Sequence, residues 1–457
     1  MRIEEEHNGA SRKIGAAMER RKSSKNVVVA CPDARPPAYQ AVIGLGQSGL
    51  LDRFVTSSYY DPGGPLTRLV RSRAPGLFSR VEPLLRRRYD PEIPSRCVVS
   101  VPSVDLSLRI EARLAGRAQA LKRSLAMARC RYFDRRLARL LLKHPPGALL
   151  VFSDVGSEVT LPLCRRLGIP SVLSMVHGDV REELEVLEQE AALSPEFFPL
   201  YLGDGVLDRR ELDWLHARRL RDIELADCIL VPSEHIAQKL NEHGTPRTKL
   251  RVIPYAADCQ RFRPMPGKRH DESCVFLFAG GITQRKGIKY LLEAWARVRR
   301  PGWTLQLLGA LPRSLGPLGS MLEHVKLLGR VGHAEVPALM AAADVFVFPS
   351  LFEGSAVVTY EALASGLPSV VTQVASSVVR DGIEGFVVGP RDVQALALRM
   401  EQLGNSPHLR GRMAEAARVR SLEFDWPRYH AGIATVVREL RAPTLTLDLS
   451  TGNPTEG

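Results

Sequence analysis

Short apolar, β-branched runs alternate with helix-length amphipathic segments along most of the 457-residue chain. Ala148–Phe152, Cys228–Val231 and Val345–Phe348 are such runs, and each is followed by a turn and then by a helical pattern. Parallel strands with crossover helices produce this rhythm, because helices bury both faces of the sheet. Two such series flank a Pro- and Arg-rich stretch at 254–269. We therefore predict an α/β protein with two doubly wound, Rossmann-like domains that face a cleft.

The domain boundaries follow from where this rhythm starts and stops. Residues 1–25 are strongly charged and residues 443–457 lack periodicity, so both are predicted to be disordered tails. Between them we place a first domain at 26–255 and a second domain at 256–425. A final helix is predicted at 426–442. Residues 59–95, rich in Pro, Gly and Arg, give no clear pattern, whereas 106–142 predicts a long helix.

The positive charge is concentrated in the first third of the chain. Residues 1–150 carry 28 Lys and Arg against 13 Asp and Glu, a net charge of +15, whereas the rest carry 35 against 37. Such a region attracts anions, but it also fits a solvated helix surface with i,i+4 ion pairs. An anionic membrane surface or acceptor and, less well, nucleic acid are the other interpretations. No basic segment interleaves the aromatic residues that single-strand stacking needs, so no nucleic-acid partner is expected.

The seven cysteines are scattered without C-x-x-C spacing, which is typical of a reducing compartment and does not support a zinc site. No apolar run approaches the ~18 residues of a membrane span, and the charged N-terminal segment has no apolar signal region. The expected location is therefore cytoplasmic, with peripheral contact to the inner face of an anionic membrane through the basic first domain.

A glycine-rich turn after one strand of the second domain is the first candidate site. It reads AGGITQRKG at 279–287 and leads into a helix. Gly280 and Gly281 let the backbone approach a ligand, and the helix start adds partial positive charge. Arg285 and Lys286 add two full charges. This combination suits a diphosphate, although any strand-to-helix turn can carry glycine and lysine.

A second candidate is EGSAVVTYE at 353–361, after the strand Val345–Phe348. Glu353 lies in the loop and Glu361 inside the following helix. A carboxylate accepts hydrogen bonds from vicinal hydroxyls, and helix-start amides hold phosphate. The amides at that start belong to Gly354, Ser355, Ala356 and Val357. The segment therefore suits a sugar–diphosphate–ribose ligand, unless both glutamates simply face solvent.

Weaker candidates lie in three other loops. Val331 and Gly332 belong to a glycine-containing loop that is suited to backbone contacts with a base edge. His177 follows a strand of the first domain, with Asp179 just after it, and Asp154 follows a neighbouring strand. We place Asp154 and Asp179 on the acceptor side of the cleft, although a lone histidine is more often structural.

Taken in order, these motifs resemble the family 4 retaining glycosyltransferases, which have the GT-B fold. The resemblance covers roughly 230–440 and rests on segments 252–258, 261–262, 280–287, 328–331, 343–350, 353–361 and 381–388. It implies a hexosyl- or N-acetylhexosaminyltransferase that moves a sugar from a nucleotide-diphosphate donor, such as a UDP- or GDP-sugar, to a hydroxyl acceptor. That acceptor could be a glycan, a lipid-linked molecule or a small molecule. No cofactor or metal is expected, because cationic side chains replace the metal and no D-x-D motif is present.

The resemblance also assigns roles to residues. It implies that Arg285 and Lys286 bind the donor diphosphate, Glu353 the sugar hydroxyls, Glu361 the ribose, and that His177 lies near the sugar. We take Arg285, Lys286, Glu353 and His177 as the catalytic set. The Val331–Gly332 loop would border the base, and the last helix would cross back onto the first domain.

Some positions depart from the family pattern. Gly281 stands where an arginine is common, and 32–37 (PDARPP) replaces the usual Gly-Gly turn after the first strand. The acceptor half is therefore less typical than the donor half. Alternatives are a catalytically silent sugar-nucleotide-binding protein with this fold, or another GT-B enzyme such as an epimerase.

Overall fold

The computed structural model describes residues 26–33, 36–102, 104, 119–202, 209–267, 273–312, 316–375 and 378–441. The two predicted tails and the first part of the predicted helix at 106–142 lie outside the described residues. Within the described part, no helix is both long and apolar enough to cross a bilayer.

Two parallel sheets organise the chain. The seven strands of the first sheet are β1 Val27–Ala30, β2 Leu51–Thr56, β3 Val98–Ser100, β4 Ala148–Phe152, β5 Ser171–Ser174, β6 Cys228–Val231 and β7 Leu250–Val252. The six of the second are β8 Cys274–Ala279, β9 Trp303–Leu308, β10 Val325–Gly329, β11 Val345–Phe348, β12 Ser369–Thr372 and β13 Gly385–Val388. Their orders are β3-β2-β1-β4-β5-β6-β7 and β10-β9-β8-β11-β12-β13. The predicted pair of doubly wound sheets is confirmed.

Fourteen α-helices pack against these sheets within the described residues. They are α1 Pro36–Gln47, α2 Pro65–Arg73, α3 Pro75–Leu85, α4 Gln119–Lys143, α5 Thr160–Leu167, α6 Val180–Leu193, α7 Arg209–Leu225, α8 Glu234–Glu242, α9 Ile288–Val298, α10 Val336–Ala342, α11 Val357–Ala364, α12 Val393–Asn405, α13 Pro407–Ser421 and α14 Trp426–Arg441. Strands such as β4 and β11 are buried at every position, as expected for a sheet covered on both faces.

The strand order sets the position of a site. In doubly wound sheets, ligands bind beyond the carboxyl ends of the strands, where the order reverses. The reversal falls between β1 and β4 in the first sheet and between β8 and β11 in the second. The turn at 279–287 and the segment at 353–361 follow β8 and β11, so both lie at the reversal point of the second sheet.

The segment 59–95, which gave no clear sequence pattern, is largely helical. α2 and α3 form a helical pair, and each begins with a proline in its first turn. Proline suits that position because its missing N–H would have no partner there. Two of the prolines in this segment, Pro65 and Pro75, therefore start helices, whereas Pro83 lies inside α3.

The last helix, α14, crosses to the first domain and packs on α1. The Tyr429 hydroxyl donates to the carbonyl of Pro37 at 3.3 Å, and His430 Nε2 lies 2.7 Å from Gln40 Oε1. A Cβ at Gly44 would lie 2.6 Å from the Cβ of His430, so glycine permits this close approach. α14 thus joins the two domains.

Candidate functional site

The turn after β8 needs glycine for two reasons. Gly287 has a φ of +72°, and a Cβ there would overlap the carbonyl oxygen of Pro349. Only glycine meets both conditions at low cost. As a result, the short helical turn Gln284–Lys286 presses against the chain that follows β11. Two loops that are distant in sequence are therefore brought into contact.

A charged cluster forms at this contact. Lys286 Nζ donates a hydrogen bond to Glu353 Oε1, and Arg285 Nη1 lies 3.6 Å from the same oxygen. The Ser350 hydroxyl also donates to Glu353 Oε1, at 3.0 Å, and Arg285 Nη1 donates to the carbonyl of Phe352 at 3.1 Å. The cluster therefore joins two cations and one carboxylate at the reversal point of the sheet.

Burial and charge act in opposite directions in this cluster. The side chain of Glu353 is only 10% exposed and that of Lys286 15%. Burial alone would raise the pKa of Glu353, but Lys286 and Arg285 outweigh it and hold the pKa below its usual value. Burial lowers the pKa of Lys286, and Glu353 opposes that change. An ionised carboxylate beside cations offers acceptors for sugar hydroxyls and donors for phosphate oxygens.

The start of α11 lies directly after Glu353. Gly354, Ser355 and Ala356 lead into Val357, the first residue of the helix. The Ser355 hydroxyl lies 3.1 Å from the Tyr360 hydroxyl, which holds it against the helix. A helix start adds partial positive charge beside Arg285 and Lys286. This end of the cleft is therefore electropositive apart from Glu353.

Glu361 lies one turn after Val357, the first residue of α11, and is half-buried. Burial raises its pKa to about 7, although Arg261 opposes the shift. Arg261 also donates a hydrogen bond to the carbonyl of His333, in the loop after β10. Next to it, the Gly332 N–H donates to Glu335 at 2.8 Å, and Val331 is half-buried. Arg261 thus links Glu361 to the Val331–Gly332 loop.

The first domain meets this site through a second pair of loops. A Cβ at Gly354 would overlap the carbonyl oxygen of Val176, and a Cβ at Gly178 would lie 2.5 Å from the ring of Phe352. The loop after β5 is therefore packed tightly against the loop after β11. A Cβ at Gly354, the residue after Glu353, would also lie 3.2 Å from the Cα of His177.

Asp154 is held next to His177. It accepts hydrogen bonds from Arg219 at 2.9 and 3.2 Å, and its Oδ2 lies 3.6 Å from His177 Nε2. Burial would raise the pKa of Asp154, but Arg219 and His177 outweigh it and hold the pKa well below its usual value. Asp154 also lines a cavity of about 170 Å³ together with Pro32 and Asp33 of the loop after β1. Asp154 therefore lies next to His177 and shares a cavity with the loop after β1.

The contacts of Asp179 correct the prediction that it faces the acceptor. Its side chain is fully buried and accepts hydrogen bonds from the backbone N–H and the guanidinium of Arg181, at 2.9 and 2.7 Å. His243 Nδ1 lies 2.8 Å from the same carboxylate. Asp179 is the N-cap of α6, a role for which aspartate is favoured.

A further carboxylate, Glu190 on α6, was not recognised from the sequence. It is fully buried and is contacted by three residues of the second domain. Gln284 Nε2 donates to it at 2.6 Å, the Tyr290 hydroxyl at 2.9 Å and Arg391 Nε at 2.6 Å. Gln284 precedes Arg285, whose N–H donates to the carbonyl of Tyr201. The first domain thus holds the turn that carries the two cations.

Two family models match this chain. The model described as Glycosyl transferases group 1 matches residues 273–406, and the model described as Glycosyltransferase Family 4 matches residues 97–261. The chain is 30% identical to the lipopolysaccharide core biosynthesis glycosyltransferase LpsE of Rhizobium meliloti, over 53% of this chain and 72% of that protein.

Other relatives are named for different activities. An MMP alpha-(1->4)-mannosyltransferase of Mycolicibacterium hassiacum is 26% identical, over 64% of this chain and 71% of that protein. A glycogen synthase of Mycobacterium tuberculosis is 27% identical, over 51% of this chain and 58% of that protein. The chain thus spans a little over half of the glycogen synthase.

Solved structures share the whole architecture. Sucrose-phosphate synthase from Thermosynechococcus elongatus superposes with a TM-score of 0.62 at 17% identity, over 91% of this chain and 99% of that one. Anabaena HepE in complex with UDP and glucose gives 0.58 at 16% identity, over 91% and 100%. At such identities the likeness concerns the fold.

Proposed function

Because this chain belongs to the family 4 glycosyltransferases of GT-B type, which transfer a sugar from a nucleotide-sugar donor, we propose roles for its site residues. Lys286 and Arg285 bind the donor diphosphate, together with the amides of 354–357. Glu353 binds the sugar hydroxyls. The observation that supports this most strongly is the buried cluster of Lys286, Arg285 and Glu353, packed against the loop that carries His177.

The proposed reaction is transfer with retention at the anomeric carbon. The bond between the anomeric carbon and the diphosphate oxygen breaks, and a bond from the acceptor oxygen forms on the same face of the sugar. The proton of the acceptor hydroxyl passes to the departing phosphate oxygen, so the products are a glycoside and a nucleoside diphosphate. Lys286 and Arg285 stabilise the negative charge that develops on the leaving group.

Glu353 positions the sugar in this scheme and does not attack it. The cations that lower its pKa keep it ionised, so it accepts hydrogen bonds from the sugar hydroxyls. His177, held by Asp154, contacts the donor sugar from the opposite side of the cleft. Contact between the loops at Gly178 and Gly354 excludes water, which limits hydrolysis of the donor.

The nucleoside end of the donor is proposed to lie along α11. Glu361 accepts hydrogen bonds from the ribose hydroxyls, and the Val331–Gly332 loop borders the base. HepE binds UDP and UDP-glucose, according to the descriptions of its structures, and this supports a nucleoside diphosphate in the same cleft here. We propose a UDP- or GDP-sugar as donor and no metal requirement, since two cations already meet the diphosphate.

The acceptor is proposed to carry a hydroxyl and to reach the cleft from the first domain. The positive charge of residues 1–150 supports an anionic acceptor at the cytoplasmic face of a membrane, with peripheral contact between protein and lipid. We propose no nucleic-acid partner for this positive charge.

A thermal-stability screen tests the donor proposal. The protein is heated with UDP, GDP, ADP and their common sugar conjugates in EDTA. A ligand that binds only the folded state stabilises it by about 2.7 kcal/mol at a hundredfold excess over Kd. We expect one base to raise the melting temperature in wild type and not in Lys286→Met. No shift with any nucleotide would contradict the proposal.

A further inference from the structure

A large apolar cavity lies in the first domain, outside the site described above. It has a volume of about 490 Å³ and lies beneath the pair formed by α2 and α3. We call residues 65–88 the basic hairpin. The apolar lining of the cavity comes mainly from this segment: Leu66, Val70, Phe78, Val81, Leu84 and Leu85.

The basic hairpin exposes apolar side chains to solvent. Leu66 is 72% exposed, Leu84 60% and Leu69 46%. No residue of α2 is buried by the part of the chain that the structure describes. A cluster of exposed apolar side chains around a cavity marks a binding surface, whereas scattered exposed leucines would need no explanation.

The same segment is strongly basic. Residues 65–88 contain seven arginines and one acidic residue, Glu82. Glu82 is shared, because Arg86 donates to it at 3.0 Å and Arg71 lies 3.6 Å away. One carboxylate therefore offsets a small part of the positive charge. The charged residues that line the cavity itself are Arg88 and Asp61, and the other six arginines lie at exposed positions of the basic hairpin. An apolar interior with this basic segment as its rim suits an anionic amphiphile.

Arg88 connects the cavity to the cleft. It lines the cavity and donates from Nη1 to the Ser57 hydroxyl at 2.8 Å and to the carbonyl of Pro32 at 3.2 Å. Pro32 lies in the loop after β1 and lines the smaller cavity that also contains Asp154. The apolar cavity and the residues beside His177 thus lie along the same edge of the first sheet, one loop apart.

We propose that this cavity binds the hydrocarbon chain of the acceptor, a lipid carrying a phosphate, whose hydroxyl reaches the cleft beside His177. The inference rests on the proposed function, because it identifies the class of acceptor for that reaction. The apolar walls take the chain, and Arg88 together with the other arginines of the basic hairpin takes the phosphate. The occupant is a single lipid molecule and not the bilayer surface, because the apolar side chains line a space of about 490 Å³.

Other occupants fit the surface less well. A second copy of this chain would bring a second arginine-rich hairpin against the first. A single-stranded nucleic acid would match the charge, but aliphatic side chains outnumber aromatic ones on the apolar walls that would face its bases. A hydrocarbon chain suits the walls, and a phosphate suits the rim.

The test measures binding of alkyl phosphates of different length to the full-length protein by calorimetry, below their micellar concentrations. Decyl phosphate should bind about a hundredfold or more tightly than butyl phosphate, because its six extra methylenes are buried. Leu66→Asp/Leu84→Asp should abolish this chain-length dependence. Both side chains are exposed in the native fold, so the substitutions leave its packing intact.

The matched control is Val419→Asp in the second domain, where the side chain is 65% exposed. It should bind decyl phosphate like wild type. Equal affinities for butyl and decyl phosphate would overturn the proposal in favour of a simple phosphate site. Binding to phosphatidylglycerol vesicles without binding to monomeric decyl phosphate would overturn it in favour of surface docking.

A nucleoside diphosphate is added in a parallel arm. Its stabilising effect should be the same in wild type, Leu66→Asp/Leu84→Asp and Val419→Asp, because the donor cluster lies in the other domain. Absence of that effect with intact alkyl binding would reject the donor proposal alone. The reverse result would reject the lipid cavity alone.

Discussion

The two domains share a strand order but carry different chemistry at their strand ends. In the second domain, glycines and a compact charged cluster lie at the reversal point, and Glu353 is paired within that cluster. In the first domain, the corresponding loop contains prolines, and the nearby groups open onto two cavities. The diphosphate is the same group in UDP-, GDP- and ADP-sugars, so a site for it can be compact. Acceptors vary in shape, which agrees with the proposal that the acceptor enters from the roomier first domain.

The two domains are not independent, because the first domain contacts the turn at 279–287. We call this turn the donor turn, after its proposed role. Glu190 is part of α6 yet makes its hydrogen bonds to Gln284, Tyr290 and Arg391 of the second domain. The first domain therefore makes direct hydrogen bonds to the donor turn and to residues near it. Substitutions in each domain measure how far that domain depends on the other, beginning with the substitution of the largest expected effect on activity.

Removing a cation of the donor cluster should have the largest effect. Lys286→Met should lower kcat by about 10²–10³, because one of the groups that stabilise the leaving diphosphate is lost. The measurement is steady-state transfer or donor hydrolysis. Lys326→Met removes an exposed lysine of the same domain and should behave like wild type. A small loss in both variants would mean that Lys286 does not meet the leaving group.

Separating the packed loops should have the next largest effect. Gly354→Ala places a methyl group against the carbonyl of Val176, so the domains must move apart. A misplacement of about 1 Å can lower the rate about a hundredfold. Small-angle scattering should show a larger radius of gyration, which Gly319→Ala should not, since nothing lies within 4 Å of its Cβ. An unchanged radius together with full activity would show that closure does not require this contact.

Removing the negative charge of Glu190 at the domain interface should weaken donor binding. Glu190→Gln removes the charge that Arg391 and Gln284 contact, and we expect the donor KM to rise about thirtyfold, equivalent to ~2 kcal/mol. kcat should change less, because Glu190 does not touch the donor. Glu188→Gln on the exposed side of α6 is the matched control. If kcat fell and KM did not change, Glu190 would not act through the donor turn.

The pH dependence of donor binding should be modest and should come from Glu361. Its pKa is raised to about 7, and the ionised carboxylate is the better acceptor for ribose hydroxyls. Donor affinity should therefore rise about tenfold between pH 6 and pH 8, following the ionised fraction. The free energy of unfolding of the unliganded protein should fall between pH 4.5 and 7, because only the folded state retains the proton.

Glu361→Gln should remove both pH effects while leaving Glu353 in place. Calorimetry at three pH values measures the first effect and chemical denaturation the second. An unchanged pH profile in Glu361→Gln would mean that another group titrates.

Much of this site could be predicted from sequence because its determinants are local. The strands can be recognised in the sequence as short apolar runs. The loops that directly follow two of them contain Arg285, Gly287 and Glu353. Glu190 could not be predicted in the same way, since a glutamate in a polar helix looks solvated until the second domain covers it. The prediction that Asp179 faces the acceptor was wrong for a similar reason. Its carboxylate contacts Arg181 and His243, and the contact with His243 forms only when the chain is folded.

The apolar cavity illustrates the same limit. Arginines and prolines hid the helices α2 and α3, and the sequence alone could not show that their leucines surround a space. Arg261 likewise belongs to the segment between the sheets, and only the fold brings it to His333 and Glu361.

The central claim is that the second domain binds a diphosphate through Lys286 and Arg285. Its most direct test is calorimetry of the wild-type protein, in EDTA, with the diphosphate and the monophosphate of the base found in the thermal screen. The account predicts that the diphosphate binds about a hundredfold more tightly, because charge-assisted contacts of ~1.5–3 kcal/mol are made to the second phosphate. Equal affinities of the two nucleotides would contradict it.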